Sequence, residues 1–189
     1  MKSYEFTWVI LLGVTILTIL RSLNDDLTTD KQISLQLSTL VTLIAFMHYT
    51  LMLQRKKNIV LYRYMDWVFT TPLLLIDFCL IEGITDVNLL IEIVLYNWLM
   101  LGFGLLGEMN IINRWISMFG GFIPFGRIYW LLKDKVKHKE RLNIFIGLWS
   151  CYGVVHIIPQ RVTREFSYNI LDMISKGLFG LYVYYLSYM

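Results

Sequence analysis

The stretch RYMDWVFTTPLLLIDF, Arg63 to Phe78, is apolar enough to enter lipid yet carries one arginine and two aspartates. Ionisable groups at mid-bilayer cost roughly 2.5–3.5 kcal/mol each on insertion scales, so they persist where they pair or serve transport. Helical spacing gives these groups a common direction. Asp66 and Asp77 are eleven residues apart, which at about 100° per residue returns to within about 20° of the same face, about 16 Å further along the axis. Arg63 and Thr70 lie one turn to either side of Asp66 on that face.

Outward from this segment the chain continues in the same style. Apolar runs lie at roughly 5–20, 33–53, 59–81, 87–107, 111–132, 142–159 and 166–189, each near the ~20 residues that carry a helix across ~30 Å of hydrocarbon. The 189 residues are 57% hydrophobic with mean hydropathy +0.57, well above what a soluble domain needs to cover its core. The runs are continuous rather than alternating, so helices, not a closed barrel, satisfy the backbone. The predicted fold is all-α and integral to the lipid bilayer: a single seven-transmembrane-helix bundle occupying 1–189. No basic n-region with a small-residue cleavage site precedes the first run, which reads as a retained helix. Cys79 and Cys151 fall inside spans and read as packing residues. A net charge of +3 gives no footprint for nucleic acid. Lys and Arg outside the spans, including Lys2, Lys56 and Lys57, divide evenly between the two faces, so the positive-inside rule leaves orientation open. The densest cluster, KDKVKHKER at 133–141, favours a cytoplasmic fifth connection and hence an extracellular N-terminus.

The remaining charges within spans are few. Glu92 and Arg127 have stems long enough to reach an interface and read as structural. His48 sits in the second span; Asp172 and Lys176 sit in the seventh, spaced i, i+4 so that their side chains share a face. Two readings are open for Lys176: a structural ion pair with a carboxylate, or an amine that forms an imine with an aldehyde. An imine that keeps its proton needs counter-ions, which Asp66 and Asp172 supply.

RYMDWVFTTPLLLIDF together with LDMISKGLFG at 171–180 resembles the third and seventh helices of microbial (type 1) rhodopsins, and the order and spacing of all seven spans fit that family. The resemblance is to the proteorhodopsins and bacteriorhodopsin, with short connections suggestive of the viral branch. It implies that Lys176 holds all-trans retinal as a protonated Schiff base, with Asp66 as primary counter-ion and proton acceptor and Asp172 as second counter-ion. It further implies Arg63 as the gating arginine, Thr70 on the proton pathway and Asp77 as the proton donor. IAFMHY at 44–49 is similar to the second helix of proteorhodopsins, where a histidine hydrogen-bonds the acceptor carboxylate, and His48 takes that position. Tyr64, Trp67, Thr71, Leu74, Met100, Gly104, Trp149, Tyr152 and His156 match retinal-pocket positions, the glycine by letting helix four approach. Leucine at position 74 implies a green-absorbing pigment.

The pattern departs from the family in two respects. In WSCYGVVH at 149–156, Gly153 replaces a usual proline and His156 a usual aromatic, so the helix bends differently and His156 lines the pocket, adds a titrating group or packs. The paired glutamates that release a proton early in bacteriorhodopsin are missing; the sixth connection, QRVTRE, has only Glu165. The triplet Asp66, Thr70, Asp77 implies a light-driven outward proton pump rather than an enzyme. A light-gated channel for protons or other cations on the same scaffold is the first alternative, and a sensory photoreceptor the second. Trp8 stands where proteorhodopsins contact a neighbouring protomer, which implies a ring-shaped homo-oligomer, a pentamer before a trimer.

Overall fold

The computed structural model describes residues 2–24, 26–55 and 58–189, with Lys2 through its backbone alone. Lys56, Lys57 and the side chain of Lys2, which entered the charge comparison, therefore lie outside the described residues. Every regular element among the described residues is helical: α1 (Lys2–Ser22), α2 (Thr29–Gln54), α3 (Ile59–Ile81), α4 (Val87–Glu108), α5 (Arg114–Leu132), α6 (Lys139–His156), α7 (Arg161–Asp172), a π-helical turn (Met173–Leu178) and α8 (Phe179–Leu186). The last three are consecutive and form the seventh passage, so the protein is an all-α, seven-helix membrane bundle. By length and composition alone, α1 to α4 can cross a membrane. The sixth and seventh passages dilute their apolar runs with charged turns at 139–141 and 161–165.

Such turns explain why α2, α6 and the seventh passage start before their apolar runs. A helix continues for as long as its backbone bonds do, while hydropathy marks only the part suited to hydrocarbon. Caps set two other starts. Asp86 accepts hydrogen bonds from the backbone N–H of Asn88 and Leu89 at the head of α4, and Asn113 accepts one from Trp115 at the head of α5, satisfying donors that lack an intrahelical partner.

The chain divides into two compact units, 1–77 with 169–189, and 78–168. In the first, α1 packs along α2, and both pack against the π turn and α8. Lipid offers no hydrophobic drive between helices, so small residues and hydroxyls hold such a seam. Thr15 donates to Thr42 and Thr39 to Thr18, each at 2.8 Å. Gly180 admits Val14, whose Cγ1 would lie 2.7 Å from a Cβ there. Arg21, at the end of α1, binds Ser187 at the end of α8 and both oxygens of Asp26; its hydrogen bonds hold the exposed Asp26 carboxyl below its ordinary range.

In the second unit α4 packs along α5, and α5 against α6. Buried Glu82 accepts from the backbone N–H of His138 at 2.9 Å and from Arg141 at 3.2 Å, pinning the basic fifth connection to the end of α3. Glu92 and Arg127 pair with each other at 3.2 Å, both about two-fifths exposed, which matches a structural role. Cys79 is buried, but Cys151 is exposed on α6 and does not pack in the interior.

Gly153 does not break α6, which runs without interruption from Lys139 to His156. The Phe122 ring of α5 instead occupies the space a side chain would need, 2.7 Å from an ideal Cβ at 153. Gly153→Ala therefore overpacks this contact and lowers stability by about 1–3 kcal/mol, read as a reduced unfolding temperature in detergent.

Candidate functional site

Arg63, Asp66, Thr70 and Asp77 are all buried on one face of α3, none more than 1% exposed. Their alignment follows from the helical period alone. The π turn brings Lys176, also 1% exposed, to meet them. Its Nζ lies 2.5 Å from Asp66 Oδ2 and 3.5 Å from Asp172 Oδ1. A single widened turn inside an α-helix is a common device at functional positions; here it surrounds the one lysine buried in the seventh passage.

The two carboxylates facing Lys176 differ in their surroundings. Asp172 Oδ1 accepts from Trp67 Nε1 at 2.9 Å, and Oδ2 accepts from the Tyr49 hydroxyl at 2.8 Å and from Arg63 Nη1 at 3.2 Å. Asp66 is bound by Lys176 through Oδ2, and its Oδ1 is buried with no hydrogen-bond partner. A proton arriving at Asp66 Oδ1 displaces no donor, whereas both oxygens of Asp172 are taken. Arg63 is held by more than this ion pair: Nη2 donates to Asn169 Oδ1 at 2.8 Å and to the Tyr4 hydroxyl at 3.4 Å, while Asn169 Nδ2 donates to Ser3 at 3.0 Å. Two buried cations thus face two buried carboxylates, the pairing under which buried charges are tolerated.

Toward the other end of α3, Asp77 accepts hydrogen bonds from two serines one turn apart on α2, Ser34 on Oδ1 and Ser38 on Oδ2, the latter at 2.8 Å. Thr70 donates to the Asp66 carbonyl at 2.9 Å and Thr71 to the Trp67 carbonyl at 2.7 Å. Leu74 is buried, and Tyr64 meets Trp67 edge-on at 5.0 Å. His48 is placed differently from the sequence expectation. Its Nδ1 donates to the Ile44 carbonyl one turn back at 2.9 Å, and no hydrogen bond joins it to Asp66. An i−4 carbonyl is always within reach of a half-buried side chain, and here it is satisfied first. Trp8 donates to Thr50 at 2.8 Å and packs on Phe46.

Met100, Gly104, Trp149, Tyr152 and His156 belong to the second unit. Trp149 is buried and continues a ring ladder from Phe78 through Phe145, with 4.7 Å between successive centroids. Tyr152 stacks on Tyr168 at 6.2 Å. Met100 and Gly104 are half-buried in α4, and a side chain on Gly107 of the same helix would meet Ser117 and His156. His156 does not line an aromatic wall. It lies in a polar cluster with Ser117, Glu108 and Tyr168, because the shallow end of α6 faces the charged ends of its neighbours.

Several residues of this site escaped the sequence reading. Ser34, Ser38, Thr42 and Tyr49 fall on one buried face of α2; their spacing of four, four and seven was a legible polar stripe, but hydroxyls in a membrane helix carry no charge that demands a partner. Asn169, one turn before Asp172, had the same weak signal. Glu108 stands at the end of an apolar run and gave no hint of burial.

A seven-helix membrane protein that buries a lysine amine between two carboxylates, one held by three donors and one by the amine itself, belongs to a class that holds a cationic nitrogen among paired counter-charges. The chain belongs to the bacteriorhodopsin-like protein family, whose description matches residues 3–188; it is a microbial type 1 rhodopsin. It is 28% identical to a green-light absorbing proteorhodopsin from a gamma-proteobacterium over 189 residues, covering 85% of this chain and 76% of that one. It is 28% identical to bacteriorhodopsin of Halobacterium salinarum over 178 residues, covering 77% and 68%. The crystal structure of the viral rhodopsin OLPVRII superposes with TM-score 0.88 at 26% identity, covering 97% of this chain and 94% of that one.

The family implies a retinal chromophore, and the donor set fits it. An aldehyde joined to Lys176 Nζ, its oxygen leaving as water and one proton staying on the nitrogen, would preserve the cation between Asp66 and Asp172, and the remaining N–H would need only one acceptor where the free ammonium has three donors. The unpartnered Asp66 Oδ1 is consistent with a site that is polar on this side only.

Proposed function

We propose that the protein is a light-driven outward proton pump, and not an enzyme, carrying all-trans retinal on Lys176 within a single domain of residues 1–189. The observation that carries this reading is the line of proton-holding groups along α3: Asp66 against Lys176 Nζ at 2.5 Å, and Asp77 eleven residues further on, held by Ser34 and Ser38. When bound, retinal supplies the light absorption and the geometric change that re-aims the Nζ–H. Asp66 receives the proton from Nζ. Asp172 stays charged because Trp67, Tyr49 and Arg63 occupy its oxygens, and the proton leaves on the Arg63 side of α3. Asp77, about 16 Å along the helix, returns a proton to Nζ through transient water. Net transport requires that access to Nζ switch between these two transfers.

The Arg63 end of α3 faces outward in this reading, with the N-terminus extracellular and the basic fifth connection cytoplasmic. Thr70 and His48 flank the Asp66 pathway. Tyr64, Trp67, Thr71, Leu74, Met100, Gly104, Trp149, Tyr152 and His156 are carried over from the family as its pocket positions, and Leu74 makes the pigment green-absorbing. Trp8 lies at a protomer contact of a pentamer.

Illuminated cells acidify their medium if the pump reading is right, and a protonophore abolishes the signal. Under voltage clamp the photocurrent keeps one sign across a wide voltage range. A current that reverses at a cation's equilibrium potential identifies a light-gated channel instead, and a cycle lasting seconds without proton movement identifies a sensor. The two serines supply a further prediction. Once Asp77 has given up its proton, their hydroxyls are the groups that solvate the anion left behind. Each hydrogen bond to a charged group is worth about 1.5–3 kcal/mol, so Ser34→Ala/Ser38→Ala slows the return of a proton from Asp77 to Nζ by tenfold or more, measured by flash photolysis.

A further inference from the structure

Where α4, α5, α6 and α7 meet at the connections 109–113 and 157–160, the second unit buries a group of polar side chains that the proposed cycle does not use. Glu108 is 3% exposed, His156 6% and Arg164 5% at the side chain. The two arginines are anchored on the carbonyls that end α6: Arg114 on His156 O at 3.1 Å, and Arg164 on Ile158 O at 2.6 Å. Both also reach Glu108, Arg164 at 3.0 Å from Oε1 and Arg114 at 3.3 Å from Oε2. The Glu108 carboxylate is thereby fixed and compensated.

The hydrogen bonds of His156 then specify its protons. Ser117 Oγ lies 2.6 Å from the Phe103 carbonyl, which has no hydrogen to give, so the single hydroxyl proton of Ser117 points there. His156 Nε2, 2.9 Å from the same Oγ, must be the donor in that contact. A neutral imidazole with its proton on Nε2 turns a lone pair from Nδ1 toward Glu108 Oε1 at 3.4 Å. The Tyr168 hydroxyl lies 3.3 Å from Oε1 and 3.5 Å from Nδ1, and its one proton serves only one of them. Arg164 already serves Oε1, so a proton taken up here lies on Nδ1, against that carboxylate oxygen. Gly107 is what lets the ring in so far: a Cβ there would lie 2.6 Å from Nε2.

We infer that Glu108 and His156 form a second proton-binding site, in which one exchangeable proton bridges Nδ1 and Oε1. The groups facing it are Glu108 from α4, Arg114 and Ser117 from α5, His156 from α6, and Arg164 and Tyr168 from α7. Tyr168 also links it to the chromophore neighbourhood, because its ring stacks on Tyr152. Proton occupancy therefore shifts the visible band. This coupling rests on the retinal reading of Tyr152; the proton site itself does not.

The test is nitrogen-15 NMR of the histidine-labelled full chain without retinal, with His156 assigned through His156→Gln. Nε2 carries its proton in both forms of the ring, and the exchangeable proton is read on Nδ1. In Glu108→Gln the proton binds about tenfold more weakly, the worth of one charge-assisted hydrogen bond. In Ser117→Ala, which leaves the fold's helix contacts in place, the neutral ring moves its proton to Nδ1. Titration unchanged by Glu108→Gln, or a wild-type neutral ring protonated on Nδ1, overturns the site. In the retinal-loaded protein, a dark absorption shift that follows the NMR midpoint and vanishes in His156→Gln supports the coupling; a band indifferent to that midpoint overturns it and leaves the NMR result standing.

Discussion

Lys176→Ala leaves the protein colourless after all-trans retinal is added, and lowers the stability of the chromophore-free protein as well. The first effect follows because Lys176 Nζ is the amine placed between Asp66 and Asp172, 1% exposed at the side chain. The second comes from charge. Removing one partner of a buried ion pair costs about 3–5 kcal/mol, since the surviving charge keeps its desolvation penalty without the attraction that offset it. Here two carboxylates lose their shared cation, while Arg63 is already bound to Asp172 and Asn169. Visible spectra read the first effect and thermal unfolding in detergent the second. Lys176→Ala/Asp66→Asn should regain part of the lost stability, because the double variant no longer strands Asp66. A visible band that survives Lys176→Ala removes the chemical basis of the proposed function.

Asp66→Asn is the second large effect. It abolishes light-driven acidification to the level of a protonophore-treated sample and moves the absorption band to longer wavelength. Asparagine retains the shape of the side chain but has no site for the transferred proton, and Asp172 cannot take over while Trp67, Tyr49 and Arg63 hold its oxygens. The colour change has a separate cause. A carboxylate beside Nζ stabilises positive charge located there in the dark, and light moves that charge away; without the carboxylate, the dark state loses more than the excited state does. Acidification that persists in Asp66→Asn would assign the acceptor elsewhere, with Asp172 the first candidate. Retention of pumping with an unchanged band would discard the whole arrangement around Lys176.

The parts of this site that were legible beforehand lie on single helices. Arg63, Asp66, Thr70 and Asp77 share a face of α3, and Asp172 and Lys176 share a face of the seventh passage, because 3.6 residues per turn is a local property. A charge in an apolar run is costly enough to stand out without knowing its partner. The assignments that the sequence left inaccurate depend on other helices. His48 turned to its own Ile44 carbonyl and Cys151 faced outward; for His156, whose role the sequence left open, the structure supplies the neighbours Glu108 and Ser117. Gly153, where a proline would bend the helix, serves the packing of Phe122.

From composition and periodicity alone the chain declares seven membrane helices and the line of ionisable groups along the third. Tertiary structure alone decided that Asp172 is locked while Asp66 keeps a free oxygen, that Ser34 and Ser38 clasp Asp77, and that Glu108 meets His156. Those pairings join positions from 39 to 123 residues apart in the chain. No helical period relates such positions: only the packing of one helix against another chooses which polar groups meet, and burial then makes each choice energetically binding.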